Sequence, residues 1–246
     1  SKYKKSITIF GSTEYKKILS KNYKNIKLNK HFLSSQSKDY VKKFLKIQKN
    51  NKPDIVEVHN RPIYINDLTE LKTEIVLYFH NDPITMMGSK TVSERISLLN
   101  QCSKIIFNSE WSKKQFLLRL DNFYHKSKKL EVIHQSVNKT DVSIESKQKI
   151  ITFVGKLNSA KGYDIFAKSI IRILNKYNDW KALVIGDEPR EKIELSHKNL
   201  TNMGFTNHND VLKIFKKSSI AVACSRWEEP FGRTSLEASS SGCAVI

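Results

Sequence analysis

Two carboxylates eight positions apart, Glu229 and Glu237, are the side chains whose type and spacing most directly suggest chemistry. They stand in the stretch Ser225-Arg226-Trp227-Glu228-Glu229-Pro230-Phe231-Gly232-Arg233-Thr234-Ser235-Leu236-Glu237. An apolar run over 220–224 precedes it, and a helix, a glycine and a further strand are expected after it. Glu229 belongs to a proline-glycine loop, whereas Glu237 falls near the second turn of the helix. Glu228 is adjacent, and the eight-residue separation selects Glu229 over it. Open α/β sheets bind ligands beyond the carboxyl ends of their strands, where helix N-termini offer unpaired N–H groups to phosphate. The stretch reads as a site for a phosphorylated donor.

Positioning such a site requires strands and helices in alternation, and the chain supplies them twice. In the first half, apolar runs predict strands at 7–10, 55–58, 74–79, 104–107 and 130–133, with helices from about 37 to 47 and over 91–99. Residues 138–149 are polar and without periodicity, and read as a linker. The pattern then restarts: strands at 150–154, 182–185, 200–203 and 220–224, and helices at 162–177, 211–215 and 233–240. Phe166, Ile170, Ile173 and Leu174 mark the buried side of the helix over 162–177. Continuous rather than alternating apolar runs imply strands covered on both faces, hence parallel sheets in an α/β fold. The expected division is an N-terminal domain over 1–145 and a C-terminal domain over 146–246. A strand begins at 243–246 and stops, so both ends read as cut.

Composition narrows the function classes. A chain of 246 residues with 39% hydrophobic content supports real cores. No apolar run approaches the roughly 18 residues of a spanning helix, and the apolar part of the start, after residues 1–5, is too short for a signal peptide. Cys102, Cys224 and Cys243 form no metal-ligand or disulfide pattern, which points to a reducing cytoplasm. The net charge of +19 comes from lysines scattered through every segment. No zinc-finger spacing or RNA-binding strand pair accompanies it, so nucleic acid is not an expected partner. A basic surface facing anionic lipid or acidic acceptors fits better, giving peripheral contact at the inner face of a membrane.

Several pieces in order carry a resemblance to a known family: Val154-Gly155-Lys156-Leu157 with Lys161-Gly162, Ile185-Gly186-Asp187, Met203-Gly204-Phe205, and Glu229-Pro230-Phe231-Gly232 with Leu236-Glu237-Ala238, Gly242 and Val245-Ile246. The second half resembles the donor domain of retaining glycosyltransferases of family 4, which have the GT-B fold of two Rossmann-like domains facing across a cleft. The first half is similar to the acceptor domain through Val58-His59-Asn60, Phe79-His80-Asn81, Ile106-Phe107-Asn108-Ser109 and Val132-Ile133. The resemblance spans roughly residues 50–246. It implies a hexosyltransferase-type enzyme that moves a sugar, with retention, from a UDP- or GDP-sugar to a glycan, lipid-linked or small-molecule acceptor. No cofactor and no metal are implied.

A departing diphosphate gathers negative charge, which cations and backbone N–H groups must meet. The resemblance assigns this to Lys156 and Lys161, beside Gly155 and Gly162; family members often have Arg where Lys156 stands. Glu229 is implied to contact the transferred sugar and Glu237 the ribose hydroxyls. Gly232 would admit close backbone approach, with Arg233 and Thr234 offering N–H groups. Phe205 lies either near the base or in the core. His80 is implied to meet the donor sugar, and a neutral histidine can donate to a hydroxyl. His59 has an acceptor-side or a structural role. His134-Gln135-Ser136 replaces the family's usual Asn/Gly turn. A glycosidase would also pair two carboxylates, but the lysines and expected phosphate loop favour a nucleotide donor. An epimerase would need a dinucleotide glycine fingerprint, which is lacking. A catalytically inactive GT-B-like binding or partner protein remains the alternative.

Overall fold

Short runs of branched and aromatic residues form the centres of two parallel sheets. The computed structural model describes residues 7–14, 20–28, 35–138, 140–191 and 193–246; residues 1–5 and Lys139 of the expected linker lie outside these. The chain divides into two compact units, Ser1–Ile133 and His134–Ile246.

In the first unit, β1 (Ile9–Gly11) pairs in parallel with β2 (Tyr23–Asn25) as a small separate sheet. Helix α1 (Gln36–Gln48) is capped by Ser35, whose hydroxyl accepts from the Lys38 amide, and buries Val41 and Phe44. The elements β3 (Ile55–His59), α2 (Ile65–Leu68), β4 (Glu74–Phe79), α3 (Val92–Gln101), β5 (Lys104–Phe107), α4 (Glu110–Leu117), α5 (Asn122–His125) and β6 (Leu130–Val132) follow. The larger sheet runs β3-β4-β5-β6, all parallel. Leu77, Phe79, Ile105, Phe107 and Phe116 are fully buried at its centre. A reciprocal capping box starts α3: Thr91 accepts from the Glu94 amide while Glu94 accepts from the Thr91 amide.

The second unit contains β7 (Gln148–Val154), α6 (Tyr163–Lys176), β8 (Lys181–Ile185), β9 (Leu200–Asn202), α7 (His208–Lys217), β10 (Ser218–Val222), α8 (Arg233–Ser240) and β11 (Ala244–Val245). The sheet order is β11-β10-β7-β8-β9, again all parallel. From β7 the chain proceeds outward through β8 to β9, then returns to lay β10 on the other side of β7. The strand order therefore reverses between β7 and β10. On the buried side of α6, Tyr163, Phe166, Ala167, Ile170 and Leu174 are buried, with Ile173 only partly so.

Three expectations shift. The division falls between Ile133 and His134 rather than at 145/146, and β7 begins inside the expected linker. The polar segment is held to the second unit by Lys147, whose Nζ donates to the carbonyls of Phe215 (2.8 Å), Ser218 (2.9 Å) and Ser241 (2.5 Å). Strand β10 occupies 218–222 rather than 220–224. Its polar start is accommodated because the buried Ser218 hydroxyl meets Thr152 Oγ1 at 2.6 Å and donates to the Ile214 carbonyl at 2.9 Å.

Candidate functional site

Strand order fixes where a ligand can sit: at the carboxyl ends of the two strands flanking the reversal, where the loops diverge. In the second unit a cavity of about 290 Å³ opens there, lined by Phe153, Val154 and Gly155 at the end of β7 and by Val222, Ala223 and Ser225 after β10. Lys161, Trp227, Glu229, Gly232, Thr234 and Ser235 complete the lining.

The loop from Gly155 to Lys161 is held from several sides. The Gly155 amide donates to the Ile185 carbonyl at 3.0 Å, and the Leu157 amide to that of Asp187 at 3.4 Å. Asn158 accepts from the Lys161 amide at 3.0 Å, and Glu191 accepts from the Ser159 amide at 2.9 Å. Gly162 then opens α6 in the left-handed region, φ 71°, and a Cβ there would lie 1.9 Å from the Cys224 carbonyl oxygen. Only glycine lets the two loops approach this closely. Arg226 ties them further: its amide donates to the Ala160 carbonyl (3.0 Å), and its guanidinium to the Ser159 carbonyl (2.8 Å) and to both Asp164 carboxylate oxygens. This guanidinium holds the Asp164 carboxyl down to about 2.

Within this frame Lys161 Nζ donates to Glu229 Oε1 at 2.5 Å, and Ser225 Oγ donates to the same oxygen at 2.6 Å. The ammonium also lies 5.1 Å from the centre of the Trp227 ring. Burial raises the Glu229 pKa, but the hydrogen bonds from Lys161 and Ser225, with the Lys161 charge, lower it by more. The net shift is downward from 4.5, so Glu229 is a carboxylate near neutrality. Helix α8 starts at Gly232 (φ 77°) with no side-chain cap, leaving its first N–H groups for solvent or a ligand. With the Lys161 ammonium they make one wall of the cavity suited to an anion.

Of the residues the sequence singled out, Gly155, Lys161, Glu229, Gly232 and Thr234 come together on this cavity. Lys156 does not line it and is exposed. Phe205 is 76% exposed, which excludes the core reading for that aromatic. Glu237 is buried rather than solvent-facing and accepts from Arg233 Nε (3.0 Å), with His208 Nε2 3.1 Å from the same oxygen. Ser225, Trp227 and His208 went unassigned in the sequence. The first two lie within the quoted stretch, but His208 gave no signal, because its pairing with Glu237 joins α7 to α8.

In the first unit, His80 follows β4. Asn60, at φ 53°, accepts from the amides of His80 (2.7 Å) and Asn81 (3.3 Å). Asn108, buried, donates to the His80 carbonyl at 2.7 Å and accepts from Ser112 Oγ at 2.8 Å. The Val58-His59-Asn60, Phe79-His80-Asn81 and Phe107-Asn108 pieces thus meet at one strand end, with His59 Nδ1 2.8 Å from His80 Nε2. Among the described residues, no group of three or more His, Cys, Asp or Glu side chains could hold a metal ion. No described helix is long and apolar enough to cross a membrane.

A family model described as glycosyl transferases group 1 matches residues 135–246. An uncharacterized glycosyltransferase of Methanocaldococcus jannaschii is 28% identical over 112 residues, covering 43% of this chain and 28% of that protein. Spore coat protein SA of Bacillus subtilis is 23% identical over 229 residues, covering 80% of this chain and 60% of that protein. Among solved structures, HepE of Anabaena in complex with UDP-glucose superposes with a TM-score of 0.67 at 15% identity, covering 91% of this chain and 66% of that one. The fold is of the GT-B type. Its two Rossmann-like domains correspond to the two units, each with a parallel sheet. The chain spans less than two thirds of the length of each of these three proteins.

Proposed function

We propose that this chain carries the donor site of a retaining, metal-independent glycosyltransferase of family 4. It would take a sugar from a UDP- or GDP-sugar and pass it to a glycan or lipid-linked acceptor. The observation that carries this reading is the Lys161–Glu229 pair lining a cavity at the strand-order reversal, beside the uncapped start of α8. The ammonium and the helix N–H groups meet the diphosphate charge that grows as the glycosidic bond breaks. Glu229, kept ionised, accepts from hydroxyls of the transferred sugar. The Glu237 carboxylate, oriented by Arg233 and His208, holds the ribose. HepE, whose fold is shared, binds UDP-glucose, which favours uridine among the bases.

Membrane contact at the inner face belongs to the same proposal. Leu118 and Phe123 are exposed, Phe123 by 81%, beside exposed Lys114, Arg119, Lys126 and Lys128 on α4, α5 and their flanks. Exposed apolar side chains interspersed along the chain with exposed cations suit an anionic lipid surface.

Calorimetric titration with UDP-, GDP- and ADP-sugars tests the donor site: one of the series binds, and Lys161→Ala abolishes the heat. No binding by any of them would reject the site. With an acceptor in hand, Lys161→Ala and Glu229→Ala each lower turnover by about ten- to a thousandfold, the range for loss of one transition-state electrostatic contact.

A further inference from the structure

Lys161 and Glu229 hold each other in the structure, yet the proposed chemistry asks both to turn toward a donor. The contact from Lys161 Nζ to Glu229 Oε1 is 2.5 Å long, and both residues line the cavity. A diphosphate and sugar hydroxyls seated there compete for the two groups, so the contact has to loosen. A lysine released from its partner regains the freedom of a flexible four-carbon stem. What each side chain keeps at that moment decides whether it stays aimed at the cavity.

Each has a second partner. On the carboxylate side, Ser225 Oγ donates to the same Glu229 oxygen at 2.6 Å. On the other side, the Lys161 ammonium lies 5.1 Å from the centre of the Trp227 ring, within range of a cation–π contact. Trp227 lines the same cavity and is 44% exposed, so its ring is a wall of the site rather than part of a core. The backbone fixes ring and ammonium relative to each other. The Arg226 amide donates to the Ala160 carbonyl at 3.0 Å, and the Arg226 guanidinium to the Ser159 carbonyl at 2.8 Å. Asn158 accepts from the Lys161 amide at 3.0 Å. The residue before Trp227 is thus pinned to the residue before Lys161.

The two partners of the ammonium differ in kind. A carboxylate neutralises it, whereas an aromatic face attracts it through a quadrupole and leaves the net charge untouched. We propose that Trp227 is a positioning residue for Lys161: its ring retains the ammonium at the cavity wall when a nucleoside diphosphate draws it from Glu229, without cancelling the positive charge that the phosphates need. This role rests on the glycosyltransferase reading of the site. Ser225 serves Glu229 in the same way, through a neutral donor.

Proton NMR of the protein carrying isotope-labelled lysine tests the contact with no nucleotide present. A ring facing an ammonium shields the adjoining ε-methylene group, so one lysine line stands upfield of the others. That line is absent in Lys161→Ala and returns to the main group in Trp227→Leu, whose chemical-denaturation midpoint checks that the fold is retained. Calorimetry then compares UDP and GDP with their sugar esters. Trp227→Leu weakens the nucleoside diphosphate and its sugar ester by the same factor, about two- to thirtyfold, the range of one cation–π contact. Trp227→Phe keeps a ring but lacks the indole N–H, which helps hold the Glu229 carboxyl down; it recovers part of the lost affinity.

A loss confined to the sugar ester would mean that the ring touches the sugar itself, and would overturn the proposal. A Phe variant no better than the Leu variant would also overturn it, by assigning the effect to the indole N–H. Nucleotide binding without a displaced lysine line removes the role of Trp227 alone. A displaced line without binding of any nucleotide instead removes the donor-site reading and leaves the ring–ammonium contact standing.

Discussion

At Glu229 two opposing effects meet, and which one wins sets how this residue responds to acid. Burial alone would push the carboxyl up; Lys161 and Ser225 hold it down, and they prevail. A carboxyl depressed in the folded state stabilises folding above its unfolded pKa, and that contribution is lost as pH falls through the folded value. Removing the cation in Lys161→Met leaves burial opposed only by the remaining hydrogen bonds. The melting temperature of the wild type should exceed that of Lys161→Met near neutral pH, with the gap closing as pH falls through 4.5 and below. A gap independent of pH would mean that the pair contributes nothing through its charge. The sequence singled out both residues, Glu229 by its spacing from Glu237 and Lys161 through the family resemblance, but did not pair them. It could not identify Ser225 as a third member, because a serine in a loop carries no periodic or compositional signal.

At the scale of elements, two loops meet where no side chain fits. Gly162→Ala would force a Cβ into the Cys224 carbonyl and place alanine in the left-handed region. The expected cost is more than about 1 kcal/mol, since native backbone and new residue are incompatible. A lowered chemical-denaturation midpoint, with weaker nucleotide binding, is the result to look for; an unchanged midpoint would mean that the loops part easily. Strands at 74–79 and 104–107 were readable to the residue because branched apolar runs covered on both faces have no other home. β2, Tyr23-Lys24-Asn25, was not readable: it has no apolar run and exists through backbone pairing with β1. Helix α4 was also missed, although Ser109 caps it by accepting from the Ser112 amide, because its polar face interrupts the pattern.

For the whole molecule, the formal charge of +19 sets a long-range field that no single contact describes. Cosedimentation with vesicles rich in anionic lipid should fall as salt rises from about 0.1 to about 1 M, as the screening length contracts from about 10 to about 3 Å. Phe123→Ser should weaken whatever binding survives at high salt, since that remainder is apolar. Equal binding to neutral vesicles would refute an electrostatic attraction to the membrane. The alternation of strands and helices was legible because it repeats. The division between the units was less so, because a polar segment reads as a linker even where Lys147 fastens it by three carbonyls.

The Lys161–Glu229 contact joins positions 68 residues apart. It cannot form until β10 has travelled back past β8 and β9 to close the parallel ladder on β7, a rearrangement whose entropic cost precedes any reward. Emerging from the ribosome, the lysine waits for most of its domain to be synthesised before it meets its partner. Fraying of that one ladder would therefore part the two side chains while β8 and β9 stay in place.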